Sequence, residues 1–248
     1  MRTSTPSILY LIVARGGSKG VPRKNLKQIA GLSLIGYRAV AAKQSRFCRR
    51  LVISSEDPEI QMEASRHGVE VLFTRPLELA SDAASSVDVV LHAMEWFETH
   101  LTERFDAIML LEPSAPFTRP RDLDGAVELM LARDANVVVG VRPTEVNSVF
   151  VGPLDAESRM AVVVEKMNAL RSLRRQDVPQ EYTMNAALYL IRWDFLKVQR
   201  RIYVDPQTTY GYPMPPEYSV EIDAPEDLAW AEFLVERGLV DISDWRRS

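Results

Sequence analysis

Apolar residues first come as a solid block, Ile8-Leu9-Tyr10-Leu11-Ile12-Val13-Ala14, with no polar position to mark a solvated face. Such a run, rich in β-branched residues and cut off by glycines, predicts a strand buried on both sides of a parallel sheet. The period then changes. Ser33–Phe47, Pro58–His67, Ser85–Thr99 and Arg121–Arg133 carry helical spacing, with Gly68 closing the second. Between them Arg50–Ser55, Val69–Phe73, Ala107–Leu111 and Asn136–Val141 are short strand-like runs. Strands and helices alternating in this way are the sequence form of βαβ units. The expected architecture is α/β, a Rossmann-like, mainly parallel sheet with helices on both faces, binding ligands at the carboxyl ends of its strands.

The alternation breaks at Arg142. Residues 143–183 are polar and Arg-rich with no helical period, which predicts a protruding arm or hairpin that packs on a partner. Asn185–Arg192, Thr209–Met214 and Tyr218–Ile222 then predict strands, and Pro225–Arg237 a closing helix with proline in its first turn. No repeat, low-complexity stretch or linker divides the chain, so residues 1–248 form one domain with 143–183 as a subdomain.

Composition narrows the function classes. The chain has 248 residues, enough to bury a core without disulfides, and its single Cys48 and scattered His67, His92 and His100 offer no zinc constellation. A net charge of −4 with 26% charged residues gives no long-range attraction for nucleic acid or anionic lipid. The run Ile8–Ala14 is too short to span a bilayer and lacks the flanks of a signal peptide, so the expectation is an unprocessed cytoplasmic protein.

Any positive site must then be local, and one is. Between Arg15 and Asn25, directly after the buried strand, three glycines and four cations fall within eleven residues. Gly16, Gly17 and Gly20 allow the backbone to curl its N–H groups into one concavity suited to phosphate oxygens. Arg15, Lys19, Arg23 and Lys24 add charge-assisted donors. The loop matches neither the Walker pattern nor the dinucleotide fingerprint. Within it, Arg23 also suits plain solvent exposure, and Pro22 stiffens the turn.

The segment Ala14-Arg15-Gly16-Gly17-Ser18-Lys19-Gly20-Val21-Pro22-Arg23-Lys24-Asn25 resembles the A-R-x-G-S-K-G-x-x-x-K-N signature of the sialic acid cytidylyltransferases, the CMP-N-acylneuraminate synthetases and their relatives acting on other nonulosonic acids. Further segments follow in that family's order. Arg75-Pro76-Leu77-Glu78-Leu79-Ala80-Ser81-Asp82 resembles R-P-x-E-L-A-x-D, and Glu112-Pro113-Ser114-Ala115-Pro116 resembles Q/E-P-T-S-P. Asn185-Ala186-Ala187-Leu188-Tyr189 resembles N-G-A-I-Y, and Ser219-Val220-Glu221-Ile222-Asp223 resembles S-I-D-I-D. The resemblance implies a nucleotide-diphospho-sugar transferase fold, a homodimer built through the arm, and a Mg2+-dependent reaction of CTP with a sialic-acid-like 2-keto sugar acid. It also implies roles by position. The loop Ala14–Lys19 with Lys24 would hold phosphates, Asn25, Arg75 and Ser86 the cytidine, and Glu112, Ser114, Arg175 and Asn185 the sugar acid.

The residue chemistry agrees in part. Arg75 presents a planar fork of donors suited to cytosine acceptors, or it pairs with Glu78; Ser86 contacts the nucleoside, or it starts the next helix. If Tyr218–Asp223 is a strand, Glu221 and Asp223 share one face and their oxygens suit Mg2+. Asp223 equally suits capping the next helix, and it is the candidate to take the acceptor's hydroxyl proton. Catalysis then rests on positioning and charge neutralisation by Arg15, Lys24 and the metal. Departures from the family pattern fall on the acceptor side at Glu112 for Gln, Thr118 and Thr183 for Arg and Ala186 for Gly, and in the metal pair at Glu221, which stands for the commoner Asp. Two other readings are a cytidylyltransferase for 3-deoxy-manno-octulosonate and a non-catalytic nucleotide-binding protein of the same fold.

Overall fold

Strand β1 (Ile8–Val13) is buried along nearly its whole length, as its lack of polar positions demands. The computed structural model describes residues 5–170, 174 and 177–246. Around β1 stand β4 (Cys48–Ser54) and β5 (Ala107–Leu111), both parallel to it. β7 (Tyr182–Arg192) then pairs antiparallel with β5 and with β6 (Val137–Pro143), and β8 (Thr209–Pro213) lies parallel to β6 at the edge. The sheet order is β4-β1-β5-β7-β6-β8. It is the mostly parallel sheet the alternation predicts, with β7 reversed, a direction that period-two patterning does not encode.

Helices cover both faces. β1 sends Ile8, Tyr10 and Ile12 into one apolar cluster and Leu9 and Leu11 into the other. The first cluster packs on α1 (Leu34–Gln44), α2 (Pro58–Arg66), α4 (Pro120–Arg133), α7 (Pro225–Glu236) and α8 (Ser243–Arg246). The second packs on α3 (Ser86–His100) and α6 (Trp193–Gln199). Ser33 starts α1 by accepting from the Gly36 N–H at 3.0 Å, and the hairpin of β2 (Gln28–Ile29) and β3 (Leu32–Ser33) precedes it. Among the described residues no helix is long and apolar enough to cross a membrane.

Three expectations change. Val69–Phe73 is reduced to a single bridge between Glu70 and Val52, because the polypeptide turns away to bring Arg75 back to the Ser55 carbonyl. The arm between β6 and β7 does hold a helix, α5 (Ala161–Asn168), although its run of valines disguises the helical period. Tyr218–Ile222 is not a strand. Pro213, Pro215 and Pro216 end the ladder and leave a 3-10 turn at Pro216–Tyr218, after which the chain runs irregularly to α7. Its alternation is not kept in the burial, since Ser219 and Ile222 are inside and Val220 is only partly buried, and it has no neighbouring strand to pair with.

Arg38 ties these parts together from the middle of α1. It is fully buried and donates from Nη1 to the Ala115 carbonyl at 2.7 Å and from Nη2 to the Ala187 carbonyl. The Thr118 hydroxyl reaches the same two oxygens at 3.3 and 3.4 Å. Desolvation pulls the Arg38 pKa down to about 9, with Glu112 and Asp122 opposing. Ala186, next to this junction, has φ 48°, the left-handed conformation that glycine adopts without strain, which gives the alanine-for-glycine departure a backbone cost. Arg38→Ala is expected to destabilise the fold by roughly 3 kcal/mol or more, since two charge-assisted bonds are lost and a void remains. Urea unfolding followed by circular dichroism measures it; an unchanged midpoint would show that the guanidinium bonds carry no net stability.

Candidate active site

Because β1, β4, β5 and β6 run the same way, their carboxyl ends share one edge, and reversed β7 brings its first residues there too. The loop after β1 lines a cavity of about 420 Å³ at that edge through Ala14, Arg15, Ser18, Lys19, Gly20, Lys24 and Asn25. None of its three glycines has a left-handed φ. They serve close approach instead. A Cβ on Gly16 would collide with Asp57 and one on Gly20 with the Asp223 carbonyl oxygen, whereas Gly17 faces open space. The left-handed residue of the loop is Arg23, φ 55°, whose exposed guanidinium pairs with Glu59.

Every cation of the cradle already has a carboxylate. Arg15 Nη1 lies 2.7 Å and Lys19 Nζ 2.5 Å from the two oxygens of Asp82, and Lys24 Nζ is 2.8 Å from Asp223. The Gly16 N–H donates to Glu56 at 2.7 Å rather than pointing into the cavity. Asn25, almost fully buried, braces the loop by donating to the Arg15 carbonyl at 2.9 Å. Its two bonded cations hold the Asp82 carboxyl below the usual range.

The far wall comes from the loop after β4 and the start of α3. Arg75 is buried, not paired with Glu78 at the surface. Its Nε and Nη2 donate to the Ser54 hydroxyl at 3.0 Å and the Ser54 carbonyl at 2.5 Å. Burial pulls its pKa down to about 10 against the nearby Glu56, whose second oxygen has no hydrogen-bond partner among the described residues. Ser85, not Ser86, caps α3 by accepting from the Asp88 N–H, which leaves the exposed Ser86 hydroxyl lining the cavity.

Glu112, Pro113 and Ser114 close the cavity at the end of β5. Burial and the nearby Glu221 raise the Glu112 pKa, against Arg38 and Lys24. Ser114 accepts from the Ile222 N–H at 2.8 Å, and this bond substitutes for the missing strand ladder. It sets Asp223 on the wall between the first cavity and a second of about 570 Å³, which Glu221 lines. Asp227 accepts from the N–H groups of Asp223 and Ala224, so Asp223 itself is not the cap of α7 and its carboxylate stays 74% exposed. Among the described residues no group of three or more His, Cys, Asp or Glu is arranged for a metal ion.

Two candidates lie elsewhere. Asn185 is fully buried; its amide donates to Ser219 Oγ at 2.9 Å and accepts from the Ala187 N–H, so it supports the segment 219–223 rather than lining the cavity. Arg175 falls outside the described residues. Sequence reasoning passed over Arg38, Glu56 and the ionic role of Asp82. Asp82 stood only as the last letter of a motif, and no local pattern marks the other two.

The sequence model of the cytidylyltransferase family matches residues 9–242. The post-translational flagellin modification protein B of Campylobacter coli is 31% identical over 238 residues, 96% of this chain and 99% of that protein. The CMP-N,N'-diacetyllegionaminic acid synthase of Campylobacter jejuni is 30% identical over 92% of this chain and 94% of its own. Among solved structures, the CMP:2-keto-3-deoxy-manno-octonic acid synthetase complexed with CTP superposes with a TM-score of 0.68 at 16% identity, covering 94% of this chain and 99% of that one, a likeness of fold.

Because Asp82 competes with any anion for Arg15 and Lys19, Asp82→Asn is expected to tighten binding of inorganic tripolyphosphate about tenfold at low ionic strength, with the gain shrinking as salt is added. Titration calorimetry at two salt concentrations reads this directly. Equal or weaker binding would mean that Asp82 orders the two cations rather than competing for them.

Proposed function

The chain belongs to the cytidylyltransferase family of nucleotidyltransferases, and from that premise we propose that it couples CTP to a sialic-acid-like 2-keto sugar acid, giving a CMP-sugar and pyrophosphate. The observation that carries the reading is the convergence of Arg15, Lys19, Lys24, Arg75 and Glu112 on one cavity, with Asp223 at the boundary to the next. The acceptor class follows the relatives of nearly equal length, among them a legionaminic acid synthase. In the reaction the anomeric hydroxyl of the acid attacks the α-phosphorus in line, a P–O bond to that oxygen forms as its proton passes to Asp223, and the bond to the pyrophosphate oxygen breaks.

Little covalent chemistry falls to the protein in such a transfer; orientation and charge neutralisation dominate. Arg15, Lys19 and Lys24 would release Asp82 and Asp223 and take up the triphosphate oxygens. Ser86 has a hydroxyl free to meet the nucleoside, and Arg75 stiffens the wall beside it through Ser54. Glu112 faces the acceptor from the end of β5. Magnesium is the cofactor this reading requires. Asp223 and Glu221 would hold it, a set of two carboxylates being enough for an ion that keeps waters and shares substrate phosphates. The fit is supported by their mutual field: burial first and Asp223 second raise the Glu221 pKa, a repulsion that a cation relieves. When bound, the ion neutralises phosphate charge.

A homodimer in the cytoplasm completes the proposal. Its support is the arm, where Val151, Leu154, Met160, Val162 and Val164 expose apolar side chains beside α5.

Pyrophosphate release from CTP and Mg2+, assayed with a panel of nonulosonic acids and 3-deoxy-manno-octulosonate, tests the reading. Turnover confined to sialic-acid-like acids is expected. No release with any acid would end the proposal, and release with the octulosonate alone would reassign the acceptor. In the same assay Arg15→Ala is expected to raise the KM for CTP at least tenfold, and Asp223→Asn to lower kcat roughly a hundredfold or more. Near-normal turnover by Asp223→Asn would remove that carboxylate from the metal site.

A further inference from the structure

Among the described residues four cations line the first cavity, Arg15, Lys19, Lys24 and Arg75, and their charges are balanced in two different ways. Arg15 and Lys19 face Asp82 and Lys24 faces Asp223, carboxylates whose side chains are 51% and 74% exposed and can swing into solvent when an anion arrives. Arg75 is the most deeply set of the four, 5% exposed. Its Nε and Nη2 are held by the Ser54 hydroxyl and carbonyl, and its N–H donates to the Ser55 carbonyl at 3.0 Å. The next residue is Glu56, the carboxylate whose charge offsets the burial of that guanidinium, while Arg15 acts the other way.

Glu56 is a fixed counter-ion. It does not line the cavity that Arg75 lines. One oxygen, Oε1, accepts the Gly16 N–H at 2.7 Å; the other, Oε2, is buried with no hydrogen-bond partner among the described residues. Asp57, which follows, is pinned as the cap of α2 by the N–H groups of Glu59 and Ile60 at 2.8 and 3.2 Å. Gly16 is wedged against it, since a Cβ there would lie 2.4 Å from Asp57 Oδ2. The loop after β4 therefore holds the start of the phosphate loop with one carboxylate and faces Arg75 with the same group.

The charge balance decides what Arg75 can bind. A guanidinium in a poorly solvated wall attracts an anion more strongly than an exposed cation does, so an unbalanced Arg75 would be the strongest phosphate site of the cavity. It would draw a triphosphate off the loop. With Glu56 behind it the pair carries no net charge, and what remains is a planar set of donors suited to neutral acceptors, the carbonyl oxygen and ring nitrogen of a base. A buried carboxylate oxygen without a donor is costly, and the neighbouring guanidinium offsets that cost.

We infer that Glu56 is a positioning residue for the nucleotide: by balancing Arg75 and holding the Gly16 N–H, it keeps the phosphates on the loop 15–24 and reserves Arg75 for the base. The inference rests on the proposed cytidylyltransferase reading and deepens it, giving the register of the ligand along the cavity to a residue outside the cavity wall.

Titration calorimetry with CTP and with inorganic tripolyphosphate, at low ionic strength, tests it. In Glu56→Gln the amide oxygen still accepts from Gly16 and only the charge is lost. Tripolyphosphate is expected to bind this variant roughly tenfold tighter than wild type and CTP to gain less, so that the ratio of the two affinities shifts toward tripolyphosphate. Adding Arg75→Ala to Glu56→Gln is expected to remove the gain, whereas Arg75→Ala alone leaves tripolyphosphate within about twofold of wild type. Glu56→Asp, which keeps the charge, is expected to keep the wild-type ratio. Circular dichroism melting checks that each variant folds. Equal weakening of both ligands in Glu56→Gln would reduce the residue to a structural brace, and a gain that survives in the double variant would place its effect on the loop cations instead; either result overturns the inference. So do unchanged affinities in Glu56→Gln, which leave the cytidylyltransferase reading standing. If the wild-type protein binds no CTP, that reading fails and the inference with it.

Discussion

A buried cation with two backbone carbonyls as its partners holds the active edge together. Arg38 reaches from α1 through the core to Ala115, in the loop after β5, and to Ala187, near the start of β7. Those carbonyls lie 77 and 149 residues away in sequence, so one side chain fixes three parts of the chain that share no local structure. From Ala187 the support continues through Asn185 to Ser219; from Ala115 it continues through Ser114 to Ile222. Both branches end on the segment that carries Glu221 and Asp223. A charge in the interior is expensive to desolvate, and its lowered pKa reflects that cost. What it provides in return is geometric: a strandless segment is held in one place by side-chain and carbonyl bonds.

On the proposed reading, the cytidine side and the acceptor side are built on different principles. The former rests on strand ends and short loops whose conformation is set by the sheet, with Arg75 locked onto Ser54 and Asn25 onto Arg15. The latter would be assembled from the irregular segment 216–223 and the arm between β6 and β7, outside the ladder of the sheet. Substitutions alter such a surface without disturbing the sheet. Of the departures from the family pattern, Glu221 lies on that segment, whereas Thr118 and Ala186 are buried, Ala186 within β7, and Thr118 bonds the same carbonyls as Arg38.

How much of this was legible in the sequence follows from the range of the interactions. β1 and the loop after it were plain, because an unbroken apolar run and a cluster of glycines and cations are local signals. The alternation of Tyr218–Ile222 marked Ile222 as inward but not Ser219, which is buried while Val220 is only partly so, and it could not show that three prolines would leave the segment without a strand to pair with. In α5 the valines masked a helix. Arg38 sits among Tyr37, Ala39 and Val40, where a lone arginine suits a solvated helix face equally well; only the distant carbonyls make it interior. Asp82 carried no sign of its partners, since Arg15 and Lys19 lie far back in the chain.

On the proposed reading, the carboxylate of Asp82, seated between Arg15 and Lys19, also makes the cradle a comparator of charge. An incoming group must outbid one carboxylate before it can hold both cations, and a phosphodiester brings no more charge than that. A triphosphate clears the threshold comfortably. Once the chain of phosphates has been divided and pyrophosphate has gone, the remaining monophosphate diester carries one negative charge against the one on Asp82, and the resident carboxylate can reclaim its partners. The same contact that slows the binding of weakly charged ligands therefore favours the departure of the product, so that the loop distinguishes the two ends of the reaction without changing shape.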